Sequence, residues 1–416
     1  LSCLVKMLAY LNLLLLTVLA FGFWSGFESS FVNVKLLGFY SVFTVFSCFV
    51  AYIACWRKKL QINFFKQIQL YWLVAIVLSL LLLSVFVSQT PLLSFFGSYQ
   101  RGIGVFYALI LLLLFLVNIS NFKKEHFVWF VRGVLCINLL ICAYALLQFL
   151  GLDPFFSSYD TAFFDGRSFS FLGNPSFLAQ FIAMVLPLNL VTFQKYKKFS
   201  FISLSLSILA LILTMTRSSL LAVICGVFLL AYKKFPKFIL RFVLACLSIL
   251  LVFALIFPRF NLFNSDSLNS VNSRLSIWES SLEYIVKYPF GTGVANFESF
   301  YPAVLNSKVA LLEDSTHVIV DNPHNQVLSV ITATGVVGLM LYLLYVVFVF
   351  LTFLKASVWP ETALSLSLLV NLLQNQLNFF DVTTLFLTSV LLAWLVLFRF
   401  KSQLHIVQLG YRVLLT

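Results

Sequence analysis

The sequence is poor in charged residues, which occupy only 10% of its 416 positions, and acids are the scarcer sign, with 14 Asp and Glu against 27 Lys and Arg. A soluble domain averages roughly 25% charged and 45–50% apolar residues. This chain is 62% hydrophobic and has a mean hydropathy of +1.03. These values exclude a water-soluble protein, a disordered chain and a coiled coil.

The signatures of several other protein classes are also missing. The seven cysteines lie in or beside apolar runs, which indicates packing residues rather than an external disulfide framework. No Walker sequence occurs, and Gly291-Thr292-Gly293 has Asn296 where a dinucleotide-binding loop needs its third glycine, so this segment is predicted to be a turn. The residues around His324 match no standard metal-ligand spacing, so we predict no metal site and no cofactor. The residues considered for a metal were Glu313, Asp314, His317 and Asp321.

Long apolar runs bounded by charged or turn residues dominate the chain. One membrane crossing takes about 20 apolar residues, so the runs predict an all-α, polytopic integral membrane protein of about twelve transmembrane helices. Residues 1–416 would form a single membrane domain, and the first run is too long for a cleavable signal peptide. The predicted spans are 4–24, 36–56, 68–87, 103–119, 127–150, 175–193, 199–216, 218–232, 238–257, 327–354, 359–380 and 383–398.

The distribution of charge predicts the orientation of these spans. With both termini in the cytoplasm, the inner face carries a net charge of +17 and the outer face −4. An excess of Lys and Arg in cytoplasmic loops is the usual pattern of membrane proteins. The net charge of +13 therefore needs no nucleic-acid partner.

The outer face has one large predicted extracytoplasmic loop, 258–326, in which residues 274–287 read as an amphipathic helix. The outer basic residues are mostly Arg, whose planar fork suits bidentate binding of phosphate or carboxylate. With only eight such residues, chance is the alternative explanation. The arginines are Arg101, Arg167, Arg217, Arg259 and Arg274.

Arg217 is unusual in its position. The stretch 199–232 must cross out and back in 34 residues, which gives arms of roughly 25 Å against a hydrocarbon core of about 30 Å. Arg217 at the tip is therefore expected at or slightly below the outer interface. An arginine there indicates a partner or an anionic ligand, and the alternative is a side chain that snorkels to the headgroups.

His324 lies in the sequence Asp321-Asn322-Pro323-His324-Asn325. Asn322 is predicted to be the N-cap and Pro323 the first residue of the next helix, so that His324 falls in its first turn. The helix dipole would keep the imidazole neutral there and able to accept a proton. The same pattern at Gly173-Asn174-Pro175 predicts a capped helix on the same face, and a purely capping role is the alternative for both segments.

Five segments follow one another between about residues 90 and 345. They are 95–102 (FFGSYQRG), 166–179 with Gly-Asn-Pro at 173–175, 214–218 (TMTRS), 274–278 (RLSIW) with 289–293 (PFGTG), and 321–325 (DNPHN) with Gly335 and Gly338 after it. In this order they resemble the bacterial O-antigen ligase and O-antigen polymerase superfamily.

The resemblance implies a glycosyltransferase in the bacterial cytoplasmic membrane, with its active site facing the periplasm or cell exterior. It would take an oligo- or polysaccharide from an undecaprenyl diphosphate carrier and pass it, with inversion and without metal, to a lipid A core, another glycan or a protein. The motifs leave the choice among ligase, polymerase and protein O-glycosyltransferase open.

The resemblance also implies roles for single residues. His324 would act on the acceptor hydroxyl, and Arg217 and Arg274 would hold the diphosphate. We extend substrate binding to further residues of the same segments, namely Arg101, Arg167, Asn174 and Asn325. Relatives often have Arg at the position of Asn322, so one positive charge of the family's pattern is absent here.

A transporter or flippase for a lipid-linked or anionic solute is the alternative function. Such proteins usually bind their solute near the bilayer midplane. The polar candidates in this sequence collect instead at the outer ends of predicted spans, which favours the transferase. A purely structural membrane scaffold is a third interpretation.

Overall fold

The computed structural model describes residues 2–23, 31–57, 63–65, 68–156, 166–234, 265–300, 320–400 and 406–408. Within these ranges most of the chain is helical. The helices are α1 (Ser2–Phe21), α2 (Val32–Arg57), α3 (Ile68–Val87), α4 (Pro91–Phe96), α5 (Val105–Asn121), α6 (Phe127–Phe149), α7 (Pro175–Val185), α8 (Asn189–Phe193), α9 (Lys197–Leu213), α10 (Arg217–Lys234), α11 (Ser265–Lys287), α12 (Phe297–Phe300), α13 (Gln326–Lys355), α14 (Trp359–Gln374) and α15 (Val382–Phe400). Short 3₁₀ turns cover Lys124–His126, Ser170–Leu172 and Leu186–Leu188.

These helices follow the predicted spans. The span 238–257 lies outside the described residues, and 175–193 is broken by the 3₁₀ turn around Pro187. Four described stretches are long and apolar enough to cross a membrane: Lys124–Phe149, Pro175–Phe193, Gln326–Lys355 and Val382–Phe400. Shorter apolar helices cover Met7–Phe21, Val32–Cys48, Trp72–Val87 and Val105–Asn121. The helical, apolar architecture is confirmed, whereas the number of twelve spans and their orientation stay predictions.

One small sheet departs from the all-α prediction. Strand β1 (Asn63–Phe65) pairs antiparallel with β2 (Ile406–Gln408), with Phe64 opposite Val407. Strands of three residues show no alternating pattern that a sequence can reveal, and their pairing joins segments far apart in the chain. The sheet joins the segment after α2 to the segment after α15.

The core of the bundle is formed by the facing sides of α1, α5, α6, α7, α14 and α15. Trp394 of α15 is fully buried and stacks on Phe122, with ring centroids 4.2 Å apart. The ring of Phe127 lies 5.0 Å from the same indole. Aromatic packing of this kind fixes how the N-terminal half of the bundle meets its last helix.

Buried amides link helices through the same core. Gln180 of α7 donates to the side-chain oxygens of Asn371 and Asn375, at 3.1 and 2.8 Å, and Asn371 donates to Thr388 of α15 at 2.9 Å. Each bond is worth more in apolar surroundings than in water because its partners have no competing solvent. The bonds set the register of α7, α14 and α15 against one another.

Helix α13 bends at Gly335, which has φ 67° and ψ −164°. The segment 289–293, which follows α11, lies in this bend, and two of its backbone N–H groups donate to the carbonyls of Thr332 and Ala333, each at 3.0 Å. A Cβ at Gly335 would lie 2.5 Å from the carbonyl carbon of Phe290. The turn itself lies at residues 289–290, just before the predicted 291–293, and the segment after it ties α11 to α13.

Candidate active site

Arg217 is the first residue of α10, directly after the turn that joins it to α9. In this turn Met215 has a left-handed φ of 50°. Arg167, from a different segment of the chain, stabilises the turn. Its Nε donates to the carbonyl of Thr214 at 2.8 Å and its Nη2 to the hydroxyl of Thr216 at 3.0 Å. Arg167 thus supports the backbone that presents Arg217.

Arg274 lies on α11, which includes the predicted stretch 274–287 and begins before it. Burial, and after it the positive charge of Arg217, lowers the pKa of Arg274. The two arginines come from different helices, and Arg217 is close enough for its charge to act on Arg274. Two partly buried guanidinium groups held together are a favourable place for an anion, because the anion removes their mutual repulsion.

His324 lies just before α13, and the sequence prediction that placed it in the first helical turn is wrong. The N-cap is Asn325, whose side chain accepts the N–H of Leu328 at 3.1 Å. The amide of Asn325 also donates to the carbonyl of Gln376 at 3.0 Å. Two asparagines in four residues offer two possible caps, and this contact with the segment after α14 favours the second.

The backbone of His324 is left-handed, with φ 52°. This conformation costs a non-glycine residue of order 1 kcal/mol and persists only where neighbouring contacts impose it. Asn322, predicted to be the cap, instead accepts the N–H of His324 at 3.0 Å and the hydroxyl of Ser329 at 3.1 Å. Trp278 of α11 donates from its indole to the carbonyl of Pro323 at 3.0 Å.

The imidazole of His324 is kept neutral, although the cause differs from the predicted helix dipole. Burial, followed by the charges of Arg274 and Arg101, lowers the pKa of His324 to about 4, and Asp321 acts in the opposite direction. At neutral pH the ring therefore has an unprotonated nitrogen. The same result places Arg274 in the surroundings of His324, in agreement with the hydrogen bond from Trp278, one turn further along α11, to the carbonyl of Pro323.

Arg101 forms a two-pronged ion pair with Asp321. Its Nε lies 2.5 Å from Oδ2 and its Nη2 3.1 Å from Oδ1. The guanidinium carbon is also 4.1 Å from the centre of the Phe379 ring, and the imidazole of His324 meets that ring edge-on at 5.1 Å. Arg101 thus joins the neighbourhood of His324 with its charge already balanced by a carboxylate.

The two asparagines predicted to bind substrate are helix caps in the structure. Asn174 is the N-cap of α7 and accepts the N–H of Ser176 at 2.8 Å, with Pro175 as the first helical residue. This confirms the predicted cap at residues 173–175. Asn325 has the same function for α13. A contact of either side chain with substrate stays a prediction.

Sequence reasoning missed Phe379 and Lys35. Phe379 lies in the connection between α14 and α15, and no motif in the sequence around it indicates a site residue. Lys35 of α2 is 2% exposed, and its Nζ lies 3.4 Å from the carbonyl of Leu172. Together with Arg101 and Asp381 it lines a small pocket. A basic residue at the start of a predicted span was the only available signal.

In the part of the chain that the structure describes, no three His, Cys, Asp or Glu side chains come together in a way that could hold a metal ion. The earlier candidates Glu313, Asp314 and His317 lie outside the described residues, as does Arg259. Asp321 is used by Arg101.

Long apolar helices with a group of arginines and one histidine gathered beyond their ends define a helical membrane protein with a candidate site for an anionic substrate. Residues 202–343, about a third of the chain, match the family model described as O-antigen ligase. This segment contains Arg217, Arg274 and His324, and the match confirms the resemblance that the motifs predicted. A search of the curated proteins found no match.

Proposed function

We propose that the chain is a glycosyltransferase of surface polysaccharide biosynthesis, which moves an oligo- or polysaccharide from a polyprenyl diphosphate carrier to an acceptor hydroxyl. One observation carries the proposal: α11, which bears Arg274, contacts the peptide next to His324 through the Trp278 indole, 3.0 Å from the carbonyl of Pro323. The charges of Arg217 and of Arg274 act, respectively, on Arg274 and on His324. The family match over residues 202–343 supports the same class of enzyme.

On the donor side, Arg217 and Arg274 bind the diphosphate. The leaving diphosphate gains negative charge as the glycosidic C–O bond breaks, so two fixed guanidinium groups stabilise the transition state more than the bound donor. Each planar fork can take two oxygens of one phosphate group. The arginines fill the electrostatic role that a divalent cation has in other diphosphate sites, and we expect transfer to continue in a metal chelator.

On the acceptor side, His324 is the general base. Its neutral ring nitrogen takes the hydroxyl proton as the acceptor oxygen attacks the anomeric carbon, and the carrier diphosphate leaves with the electron pair of the broken bond. A single displacement of this kind inverts the configuration at the anomeric carbon. The acceptor is a lipid A core, another glycan or a protein.

The charge distribution supports an orientation with both termini in the cytoplasm and about twelve spans. In this orientation the site opens on the outer face of the bacterial cytoplasmic membrane. The short arms α9 and α10, of 17 and 18 residues, keep Arg217 near the depth of the lipid headgroups. The polyprenyl tail of the donor, an undecaprenyl chain in the family, then lies between helices within the bilayer.

The test is glycan transfer by the purified protein in lipid nanodiscs, with a labelled polyprenyl diphosphate glycan and a panel of candidate acceptors. We expect His324→Ala to lower the rate about 10²–10⁴-fold and Arg274→Gln about 10²–10³-fold. Arg132→Gln is the matched control, because Arg132 lies over the ring of Tyr196 at 4.2 Å, away from the site.

Full transfer by either site variant would contradict the role of that residue. Movement of the intact lipid-linked glycan across a sealed vesicle, with no bond broken, would favour the transporter instead.

A further inference from the structure

Arg101 is held by a rigid turn between α4 and α5. Its N–H donates to the carbonyl of Ser98 at 3.2 Å, and that of Gly102 to the same carbonyl at 2.7 Å. Gly97 and Gly102 have positive φ values of 87° and 64°. A Cβ at Gly104 would lie 2.3 Å from the backbone nitrogen of Gly97, so the turn closes tightly upon itself. The arginine therefore projects from a fixed base.

From this turn the Arg101 side chain contacts the loop that contains His324 in two ways. The fork-to-fork bonds to Asp321, at 2.5 and 3.1 Å, hold the loop three residues before the histidine. The guanidinium also lies on the Phe379 ring that contacts the imidazole. Bidentate Arg–carboxylate pairs fix orientation as well as distance. Asp321 is only 9% exposed, so water competes little for the pair.

The loop needs such support because the left-handed backbone conformation of His324 is unfavourable for a residue other than glycine. Asn322 and Trp278 hold the peptide groups next to it, but neither contact reaches the imidazole ring. Phe379 does reach the ring, and Arg101 is the charged group that contacts both Phe379 and Asp321. This places Arg101 in a different role from Arg217 and Arg274.

We propose that Arg101 is a positioning residue, which acts through Asp321 and Phe379 to hold His324 against the acceptor, and that it is not a ligand of the donor diphosphate. The proposal rests on the proposed function, since it assigns His324 the role of base. It also reverses our own expectation that Arg101 binds substrate. The Arg101–Asp321 pair is neutral as a whole and already engages Nε and Nη2 of the guanidinium, so it attracts an incoming diphosphate only weakly.

The first test separates donor binding from positioning without any transfer reaction. Inorganic pyrophosphate is the probe, and the measurement is the rise in thermal unfolding midpoint that it causes in the purified, full-length protein. We expect Arg101→Gln to keep at least half of the wild-type rise, Arg274→Gln to lose most of it and Arg132→Gln to keep all of it. A loss in Arg101→Gln equal to that in Arg274→Gln would overturn the proposal.

The second test uses transfer kinetics. We expect Arg101→Gln and Asp321→Asn each to lower kcat at least tenfold with the KM for the donor within twofold of wild type, and the double variant to be no slower than the worse single one. The exchanged pair, Arg101→Asp with Asp321→Arg, should recover part of the rate. Wild-type kcat in both single variants, or a rise in donor KM confined to Arg101→Gln, would overturn the proposal.

A pH profile excludes a merely structural effect. The charged groups that act on His324 are Arg274, Asp321 and Arg101. Removal of the Arg101 charge should move the acidic limb of kcat to higher pH, and removal of the Asp321 charge should move it to lower pH. Loss of folded protein would shift neither limb. Absence of any transfer by the wild-type protein would instead contradict the proposed function, and the pyrophosphate test would still stand on its own.

Discussion

Substitution of Gly335 by Ala tests whether the bend of α13 joins the two halves of the site. The observed φ and ψ, 67° and −164°, lie in a region essentially reserved for glycine, so alanine costs of order 1–3 kcal/mol there. The new Cβ would also lie 2.5 Å from the Phe290 carbonyl carbon, which is backbone and cannot turn aside. Segment 289–293 must then leave the bend, with loss of its three backbone hydrogen bonds to α13, worth about 0.5–1.5 kcal/mol each. We expect a total loss of roughly 3–6 kcal/mol.

Gly151→Ala is the matched control. Gly151 also has a positive φ, 76°, but nothing lies within 4 Å of the position that its Cβ would take. That variant should cost only the backbone strain, about 1–2 kcal/mol. Thermal unfolding in detergent gives the two midpoint shifts, and transfer assays give the two activities.

The shift for Gly335→Ala should be two to four times the shift for Gly151→Ala, and only Gly335→Ala should lose transfer, at least tenfold. The loss follows because segment 289–293 connects the helix of Arg274 to the helix that His324 precedes. Equal midpoint shifts would refute the reasoning about the docked segment. Full transfer in Gly335→Ala would refute the claim that packing of segment 289–293 into the bend of α13 sets the distance between Arg274 and His324.

Four other predictions concern the loop that contains His324. The folded protein lowers the pKa of His324 from 6.5 to about 4. This group therefore contributes about 3 kcal/mol of stability that is present above pH 6.5 and is lost as the pH falls toward 4. Denaturant titrations should show that loss in wild type and not in His324→Gln, and an identical pH dependence in both proteins would contradict the prediction. The acidic limb of kcat should likewise lie near pH 4 to 5, and a limb at 6.5 would mean a solvated histidine. Trp278→Phe removes one hydrogen bond, to Pro323, and should slow transfer roughly 3- to 10-fold, whereas Trp129→Phe, on a ring 38% exposed, should not. Asn325→Ala should lower the free energy of unfolding by about 1 kcal/mol through loss of the cap, and an unchanged value would show that the cap is dispensable.

The long apolar helices were predictable because each is a local run of apolar residues, whereas the short helices α4 and α12 and the first nine residues of α11 were not predicted. The run 68–87 coincides with α3, and the 34 residues of 199–232 correctly predicted a short hairpin with Arg217 at its tip. The start of α13 was missed because Asn322 and Asn325 carry the same capping chemistry. Only a contact with Gln376, far along the chain, distinguishes them.

The components of the site were predictable, but their partners were not. Arg217, Arg274 and His324 could be named from position and motif. Their proximity depends on how α10, α11 and α13 pack, which no local pattern encodes. The partner of Arg101 shows the difference most clearly: in the sequence Asp321 is one of the residues considered for a metal, and only the fold shows that it meets the arginine. The role of Phe379 follows from its contacts with Arg101 and His324, which the sequence does not show.

Helix α14 has a consequence for the synthesis of the protein. Its 16 residues are buried on nearly every side. Apart from a bond with Asn375 directly after the same helix, Asn371 bonds to Gln180 of α7 and Thr388 of α15. An amide left in hydrocarbon without partners costs several kcal/mol, so α14 alone is a poor transmembrane segment. We therefore expect the insertion machinery to hold α14 until α15 has emerged from the ribosome, and both to enter lipid against an already placed α7. The amides that join the finished helices would thus also set the order of their release into the membrane.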